Sequence, residues 1–175
     1  MEQQSQNRCR LSLRLLALGA AAGLVLLDQY LKRLVDSSML PLQHKHILPG
    51  FLRLHYTQNT GISFSLLNSS PGAMGAVSVL TAAVMLAGIF YILSGRVRQA
   101  APLCAAALII AGGTGNLIDR LLRGFVVDYL EFEFVQFAVF NFADALITCG
   151  VAVLAGWVIW EDIQHRKRAR GAKMP

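Results

Sequence analysis

Long apolar runs alternate with short polar segments along this chain of 175 residues. Four runs reach the roughly 20 residues that a helix needs to cross the hydrocarbon core of a bilayer. They cover residues of about 13–35, 73–93, 102–122 and 142–160. The second run and the core of the third are free of charge, whereas the first and the fourth carry charges near one end. The pattern predicts an all-α membrane protein whose residues 1–175 form a single domain with four transmembrane helices.

Two segments between the runs predict a small amount of β-structure. Residues 51–56 alternate apolar and polar side chains as a short strand does. Asn59-Thr60-Gly61 is a turn signal shortly after it. Asp128 lies among apolar neighbours in residues 124–129, which suggests a short strand or a re-entrant piece at the membrane interface. We therefore expect a β-containing cradle at one membrane surface.

The composition agrees with a membrane protein. Hydrophobic residues make up 55% of the chain and charged residues 15%, whereas soluble domains contain about 25% charged residues. The net charge is +6, and a basic cluster at 166–170 directly follows the fourth run. Such a cluster beside a membrane helix is typical of a cytoplasmic anchor that faces anionic lipid. The charge therefore indicates membrane lipid as a partner and no nucleic acid.

The distribution of lysine and arginine predicts the orientation. The N-terminal tail, the loop between the second and third runs and the C-terminal tail hold ten of these residues, and the opposite side holds six. The excess predicts that both termini are cytoplasmic and that residues 36–72 and 123–141 face outward. The first run resembles a signal peptide, but it continues into Asp28 and Lys32 without a clear cleavage site. We expect it to be retained.

Polar residues near the outward ends of the predicted helices are candidates for function, because ionisable groups in membrane spans are costly. Asp28 and Lys32 are spaced for an ion pair on one helix face. Asn116, Asp119 and Arg120 follow glycines that would let another helix approach closely. These residues could brace the bundle, Asp119 with Arg120 as an ionic network, or could contact a polar group of a substrate or lipid.

Asp128 and Asp144 are the candidates for catalysis. Asp144 and Asn141 open the fourth helix, where Asn141 could cap the helix and the helix dipole favours an acid. Asp128 and Asp144 can converge near one membrane surface. Two carboxylates that share a site hold a proton between them, which supplies a general base for water and a general acid for a leaving amine. The structural alternatives are a turn acid at 128 and helix-start electrostatics at 144.

The cysteines and histidines indicate no disulfide framework or metal site. Cys9 lies in the N-terminal tail, and Cys104 and Cys149 lie inside apolar runs, an odd count that does not fit paired disulfides. Three histidines are scattered in the first outward segment, where solvated side chains are more usual than metal ligands: His44, His46 and His55. We expect no metal and no organic cofactor.

Five motifs occur in order along the chain: Asp28-Gln-Tyr-Leu-Lys32, Asn59-Thr-Gly61-Ile-Ser-Phe64, Gly112-Gly-Thr-Gly-Asn116-Leu-Ile-Asp119-Arg120, Val127-Asp128-Tyr129 and Phe140-Asn141-Phe-Ala143-Asp144. The set closely resembles the lipoprotein signal peptidases of bacteria (signal peptidase II). Small departures occur at Ile62-Ser63, Tyr129 and Phe142, which bear on the fit of substrate or inhibitor and leave the carboxylates in place.

The resemblance implies a membrane aspartyl endopeptidase with Asp128 and Asp144 as the catalytic pair, and we expect the protein to be a monomer. It cleaves diacylglyceryl-modified prolipoproteins before the lipidated cysteine, and globomycin-type antibiotics inhibit it. The implied substrate-binding or supporting residues are Asn116, Asp119, Arg120, Asn141, Asn59, Gly61, Asp28 and Lys32. Asp119 is an alternative partner for Asp144, but we expect Arg120 to hold it ionised and occupied.

Two other classes of protein are possible. Another type of intramembrane protease would carry a Gly-x-Ser-x-Gly, Gly-x-Gly-Asp or His-Glu-x-x-His motif, and the sequence has none of these. A small transporter subunit or lipid-binding protein could use buried acids as a proton relay. Transporter acids lie near the midplane of the bilayer, whereas the acids here are predicted near one surface.

Overall fold

The computed structural model describes residues 2–60, 71–95 and 99–171, with side chains over 11–60, 75–95 and 99–169. These residues form, in chain order, α1 (Glu2–Ser38), β1 (His44–Leu48), β2 (Leu52–Asn59), α2 (Pro71–Leu93), α3 (Ala100–Arg123), β3 (Val126–Phe132) and α4 (Phe142–Gly171). In the described part of the chain, four helices are long and apolar enough to cross a membrane. The predicted all-α membrane fold is therefore confirmed, with α1 and α4 extending beyond the apolar runs.

α3 is the central helix of the bundle. Half of the residues in its apolar window are buried, compared with 11% in α1 and α2 and 17% in α4. Three of its glycines lie where a Cβ atom would collide with a different neighbouring helix. These contacts are Gly112 against Ala143 of α4, Gly113 against Met85 of α2, and Gly115 against Asp28 of α1. The close approach predicted from the glycines is confirmed.

The end of α3 leads directly into the sheet. Gly124 follows the helix with φ 76°, the left-handed conformation that terminates helices and favours glycine. The chain then enters β3, so the segment around Asp128 is a strand rather than a re-entrant piece. The antiparallel sheet has the order β1-β2-β3, and β2 confirms the strand predicted from the alternation at 51–56.

β1 was not predicted, because all five of its residues are exposed and no alternation of buried and exposed positions marks it. The rest of the sheet packs on the end of α1. Its buried cluster combines one helix residue, the residue just after the helix and three strand residues: Val35, Met39, Tyr56, Val127 and Tyr129. Gly61, and with it the end of the predicted turn, lies outside the described residues.

A β-bulge interrupts the pairing of β2 with β3. β2 has one residue more than β3 between Leu54 and Thr57, and after the bulge Thr57 lies opposite Asp128. Alternate residues of a strand share a face, so Asn59 lies on the same face of the sheet as Asp128. The bulge therefore brings two residues of β2 to the face that carries this carboxylate.

Candidate active site

A cavity of about 640 Å³ opens where the sheet meets the ends of α3 and α4. Asp128 comes from β3 and Asp144 from the first turn of α4, and both line this cavity. Asn59, Asn116 and Arg120 are among its other polar lining residues. An aromatic wall of Phe132, Phe137 and Phe140 completes the lining on the side of β3 and the loop that follows it. The two predicted carboxylates therefore share one pocket.

Asp128 is almost fully buried and accepts a hydrogen bond on each carboxylate oxygen. Asn59 Nδ2 donates to Oδ2 at 2.9 Å, and Asn141 Nδ2 donates to Oδ1 at 2.7 Å. Burial raises the pKa of Asp128 to about 6, and the negative charge of Asp144 adds to this rise. The two amide hydrogen bonds and the charge of Lys32 oppose the rise.

Asp144 is held at the start of α4 by a reciprocal capping arrangement. The backbone N–H of Asp144 donates to Asn141 Oδ1 at 2.9 Å, and the backbone N–H of Asn141 donates to Asp144 Oδ2 at 3.1 Å. This is a capping box in which the acid lies three residues after the cap. The capping role predicted for Asn141 is confirmed. The helix dipole stabilises negative charge at this position.

Two asparagine side chains connect the carboxylates. Asn141 contacts Asp128 through Nδ2 while its Oδ1 caps the helix that carries Asp144. Asn116 Nδ2 donates to Asp144 Oδ1 at 2.8 Å, and its Oδ1 accepts from Asn141 Nδ2 at 3.1 Å. A continuous hydrogen-bonded path thus runs from Asp128 through the two amides to Asp144.

Lys32 of α1 supports this hydrogen-bonded path through Asn116. Its fully buried ammonium lies 2.9 Å from Asp28, 3.1 Å from Asp119 and 2.8 Å from Asn116 Oδ1. These three oxygens match the three N–H donors of an ammonium group. The predicted Asp28–Lys32 pair is confirmed, and Asp28 Oδ1 also accepts from the backbone N–H of Ala143 at 3.1 Å. Lys32 therefore contacts α3 directly and, through Asp28, reaches α4.

The expected pairing of Asp119 with Arg120 is wrong. Asp119 forms its ion pairs with Lys32 at 3.1 Å and with Arg123 at 2.7 Å. Consecutive helix residues point about 100° apart, so Asp119 faces α1 while Arg120 lines the cavity. Asp119 is ion-paired, as expected, but its partners are Lys32 and Arg123 rather than Arg120.

Arg120 faces the same cavity as both carboxylates. The negative charges of Asp144 and Asp128 attract the guanidinium of Arg120. Its Nε is buried and has no hydrogen-bond partner in the described part of the chain. The side chain is therefore placed to present donors to a group that enters the cavity.

Sequence reasoning missed two supporting residues and the aromatic wall. Gln29 Nε2 lies 3.1 Å from Asp119 Oδ1 and 3.1 Å from the carbonyl oxygen of Gly115. Arg123 is four residues after Asp119, a spacing that could have revealed the ion pair. The phenylalanines of the loop after β3 carry no comparable sequence signal. Of the predicted site residues, Gly61 alone lies outside the described residues.

His46 and His55 lie on the sheet, away from the cavity lining. His46 Nδ1 is 2.5 Å from Glu133 and His55 Nδ1 is 2.7 Å from Glu131. Arg53 also contacts Glu131, and its hydrogen bond holds the pKa of that carboxyl below its usual range. These histidines thus take part in cross-strand contacts with acids.

Comparisons with known proteins point to one family. The family model described as signal peptidase (SPase) II matches residues 20–160. A lipoprotein signal peptidase of Streptococcus thermophilus is 35% identical over 82% of this chain and 91% of its own length. One of Brucella ovis is 40% identical over 83% of this chain and 88% of its own.

A solved structure of a bacterial membrane enzyme, determined by the in meso method at 2.3 Å resolution, has a similar fold. It superposes with a TM-score of 0.76 at 26% identity, covering 83% of this chain and 88% of that one. The family match spans the residues of the site from Asp28 to Asp144. This chain therefore belongs to the signal peptidase II family of membrane peptidases that process lipoproteins.

Proposed function

We propose that this chain is an aspartyl endopeptidase that removes the signal peptide from diacylglyceryl-modified prolipoproteins, cleaving before the lipidated cysteine. The observation that carries the proposal is the pair Asp128 and Asp144 in one cavity, linked through Asn141. Such a pair can activate water and protonate a leaving amine without a metal or cofactor.

The surroundings of Asp128 and Asp144 suggest which carboxyl group acts as the general base and which holds the shared proton. The raised pKa of Asp128, about 6, suits the partner that holds the shared proton. Asp144 lies at a helix N-terminus, where the helix dipole stabilises negative charge, and accepts a backbone N–H. Asp144 would take a proton from water as the resulting hydroxide attacks the scissile carbonyl carbon. Asp128 would donate its proton to the carbonyl oxygen. The proton that Asp144 took from water would then pass to the leaving nitrogen as the C–N bond breaks, and the carboxyl product would return a proton to Asp128.

The remaining polar side chains would orient this chemistry. Asn116, Asn141 and Asn59 fix the carboxylates, and Lys32 with Asp28 and Asp119 fixes Asn116 and the start of α4. Arg120 would contact a substrate carbonyl or lipid phosphate, since its Nε has no partner among the described residues. We also propose that Gly61 contributes to the substrate cradle.

The cellular setting follows from the charge distribution and the family. We propose a multi-pass protein of the bacterial inner membrane, working as a monomer of one domain over residues 1–175, with both termini cytoplasmic. The excess of basic residues in the tails supports this orientation. The cavity would then open at the outer face, where membrane lipid receives the substrate's acyl chains. Inhibition by globomycin-type antibiotics is expected from the family.

The test is a gel-shift cleavage assay with purified protein and a diacylglyceryl-modified prolipoprotein. Asp128→Asn and Asp144→Asn each remove a carboxylate while keeping its shape, and we expect each to lower kcat by at least about 10³-fold. Asp162→Asn changes an exposed aspartate of α4 and should cleave at the wild-type rate.

Each variant is first checked for folding by its unfolding temperature in detergent. Cleavage that survives both active-site substitutions would exclude the dyad and favour a binding or transport protein. Cleavage that survives Asp128→Asn but not Asp119→Asn would identify Asp119 as the partner of Asp144.

A further inference from the structure

The bulge in β2 determines which side chain of that strand reaches Asp128. β2 has one residue more than β3 between Leu54 and Thr57. A shift of one residue moves every later side chain to the other face of a sheet. If the pairing before the bulge continued unchanged, Gln58 would share the face of Asp128. With the bulge, Asn59 takes that place and donates to Asp128 at 2.9 Å.

Tyr56 lies in this bulge, and its backbone is bonded away from β3. Its N–H donates to the carbonyl oxygen of Gln43 at 3.0 Å, and its carbonyl oxygen accepts from the N–H of Leu42 at 2.8 Å. Leu42 has a φ of 68°, a left-handed conformation that is unusual for a branched side chain. The connection between α1 and β1 thus adopts a strained turn while it pairs with Tyr56.

The side chain of Tyr56 is 1% exposed and belongs to one buried cluster with Val35 of α1 and Met39, the residue that follows this helix. Its hydroxyl donates to the carboxylate of Asp36, at the end of the same helix, and accepts from Gln58 Nε2 at 3.0 Å. Burial raises the pKa of the Tyr56 hydroxyl, so the hydroxyl keeps the proton that it donates. The bulge is therefore attached to the last turns of α1 by packing and by a hydrogen bond.

We propose that Tyr56 is a positioning residue of the peptidase. By attaching the bulge to α1, it fixes the register at which Asn59 holds Asp128. This inference rests on the proposed function, because the contact between Asn59 and Asp128 affects turnover only if Asp128 is catalytic.

The test is a double-mutant cycle with Tyr56→Phe, Asn59→Ala and the double variant. Tyr56→Phe removes only the hydroxyl, and we expect kcat to fall about tenfold with KM within about twofold of wild type. Because both substitutions would act through one contact, the double variant should be no slower than Asn59→Ala alone. Effects that multiply would overturn the proposal.

Matched controls separate the hydroxyl contact from a general loss of stability. Asp36→Asn keeps an acceptor for the hydroxyl and should turn over like wild type, whereas Asp36→Ala should behave like Tyr56→Phe. Tyr30 is 62% exposed, so Tyr30→Phe should leave kcat unchanged. Equal losses of kcat in Asp36→Asn and Asp36→Ala would also contradict the proposal.

Hydrogen exchange gives a readout that does not depend on cleavage. Tyr56→Phe should speed exchange of the amides at 57–59 and 126–128 and leave the core of α4 unchanged. If Asp128→Asn still cleaves, the proposed function fails, and exchange alone then decides whether Tyr56 fixes the register. Unchanged exchange at 57–59 and 126–128 would show that Tyr56 does not fix the register.

Discussion

Asn116 and Asn141 have amide orientations that their partners determine. Asn116 Oδ1 lies 2.8 Å from the ammonium of Lys32, which can only donate, so Nδ2 must point to Asp144. Asn141 Oδ1 accepts the backbone N–H of Asp144, so its Nδ2 points to Asp128. Each carboxylate therefore faces donors whose direction is fixed before any substrate enters.

The pH dependence of the peptidase should reveal the contact between Asn59 and Asp128. If Asp128 acts in its protonated form, kcat/KM should fall as the pH rises through about 6, the pKa of this carboxyl. The hydrogen bond from Asn59 favours the ionised carboxylate and lowers this pKa. Asn59→Ala should therefore move the alkaline limb to higher pH.

The measurement is kcat/KM of cleavage as a function of pH for wild type and Asn59→Ala. The other charged groups that act on this carboxyl, Asp144, Arg120 and Lys32, are the same in both proteins. An alkaline limb that stays in place or moves to lower pH would contradict either the assignment of the shared proton to Asp128 or the role of the Asn59 amide.

At the scale of one residue, spacing predicted some contacts and not others. The position of Asn141 at the start of the fourth helix was enough to predict the cap, because capping is local. The partner of Asp119 depends on which way α3 is rotated in the bundle. Adjacency suggested Arg120, but the face toward α1 gives Asp119 the ammonium of Lys32.

At the scale of the element, the glycines of α3 set the distance between helices. A Cβ atom on Gly112 would collide with the backbone oxygen of Ala143 and lie 2.8 Å from Ile147. A backbone atom cannot swing aside as a flexible side chain can. The packing of α3 on the start of α4, and with it the position of Asp144, therefore depends on the missing side chain.

Gly112→Ala should destabilise the folded protein by about 1–3 kcal/mol through overpacking. The matched control is Gly23→Ala on α1, where a Cβ atom would meet nothing within 4 Å. The control should be neutral or stabilise by about 0.5–1 kcal/mol through helix propensity. Thermal unfolding in one detergent compares the two, and equal stability of both variants would contradict the close packing.

The strands show which features of the sheet could not be predicted from the sequence. β2 was predicted because its side chains alternate, and β1 was missed because its residues are all exposed. The bulge before Thr57 leaves no local pattern, since it arises from contacts of Tyr56 with α1 and with the turn at Leu42. Contacts between distant segments, rather than local propensity, determined this feature.

At the scale of the whole molecule, one buried cluster joins three helices beneath the cavity. Lys32 of α1 contacts Asp119 and Asn116 of α3, and Asp28 contacts the backbone of Ala143 in α4. The four helices could be predicted from apolar runs alone, as could the helix ends at which polar residues collect. The cluster shows how those ends are joined, because a charge buried among helices needs partners from several of them.

Lys32→Met should be the most destabilising substitution considered, at about 3–5 kcal/mol, because it leaves buried Asp28 without a cation and Asp119 with Arg123 alone. Arg33→Met, at an exposed neighbouring position, is the control and should change stability little. Thermal unfolding in detergent measures both. The triple variant Asp28→Asn, Lys32→Met, Asp119→Asn removes the uncompensated charge and should regain most of the lost stability.

Cleavage by the triple variant then distinguishes a purely structural role of the buried cluster from a role in orienting Asn116. Its stability should recover, but Asn116 would still lack the donor that directs its amide toward Asp144. We therefore expect kcat to stay at least about tenfold below wild type even when the protein is folded. Full recovery of both quantities would mean that the cluster only braces the bundle, whereas recovery of stability alone would mean that the cluster also aligns the carboxylate of Asp144.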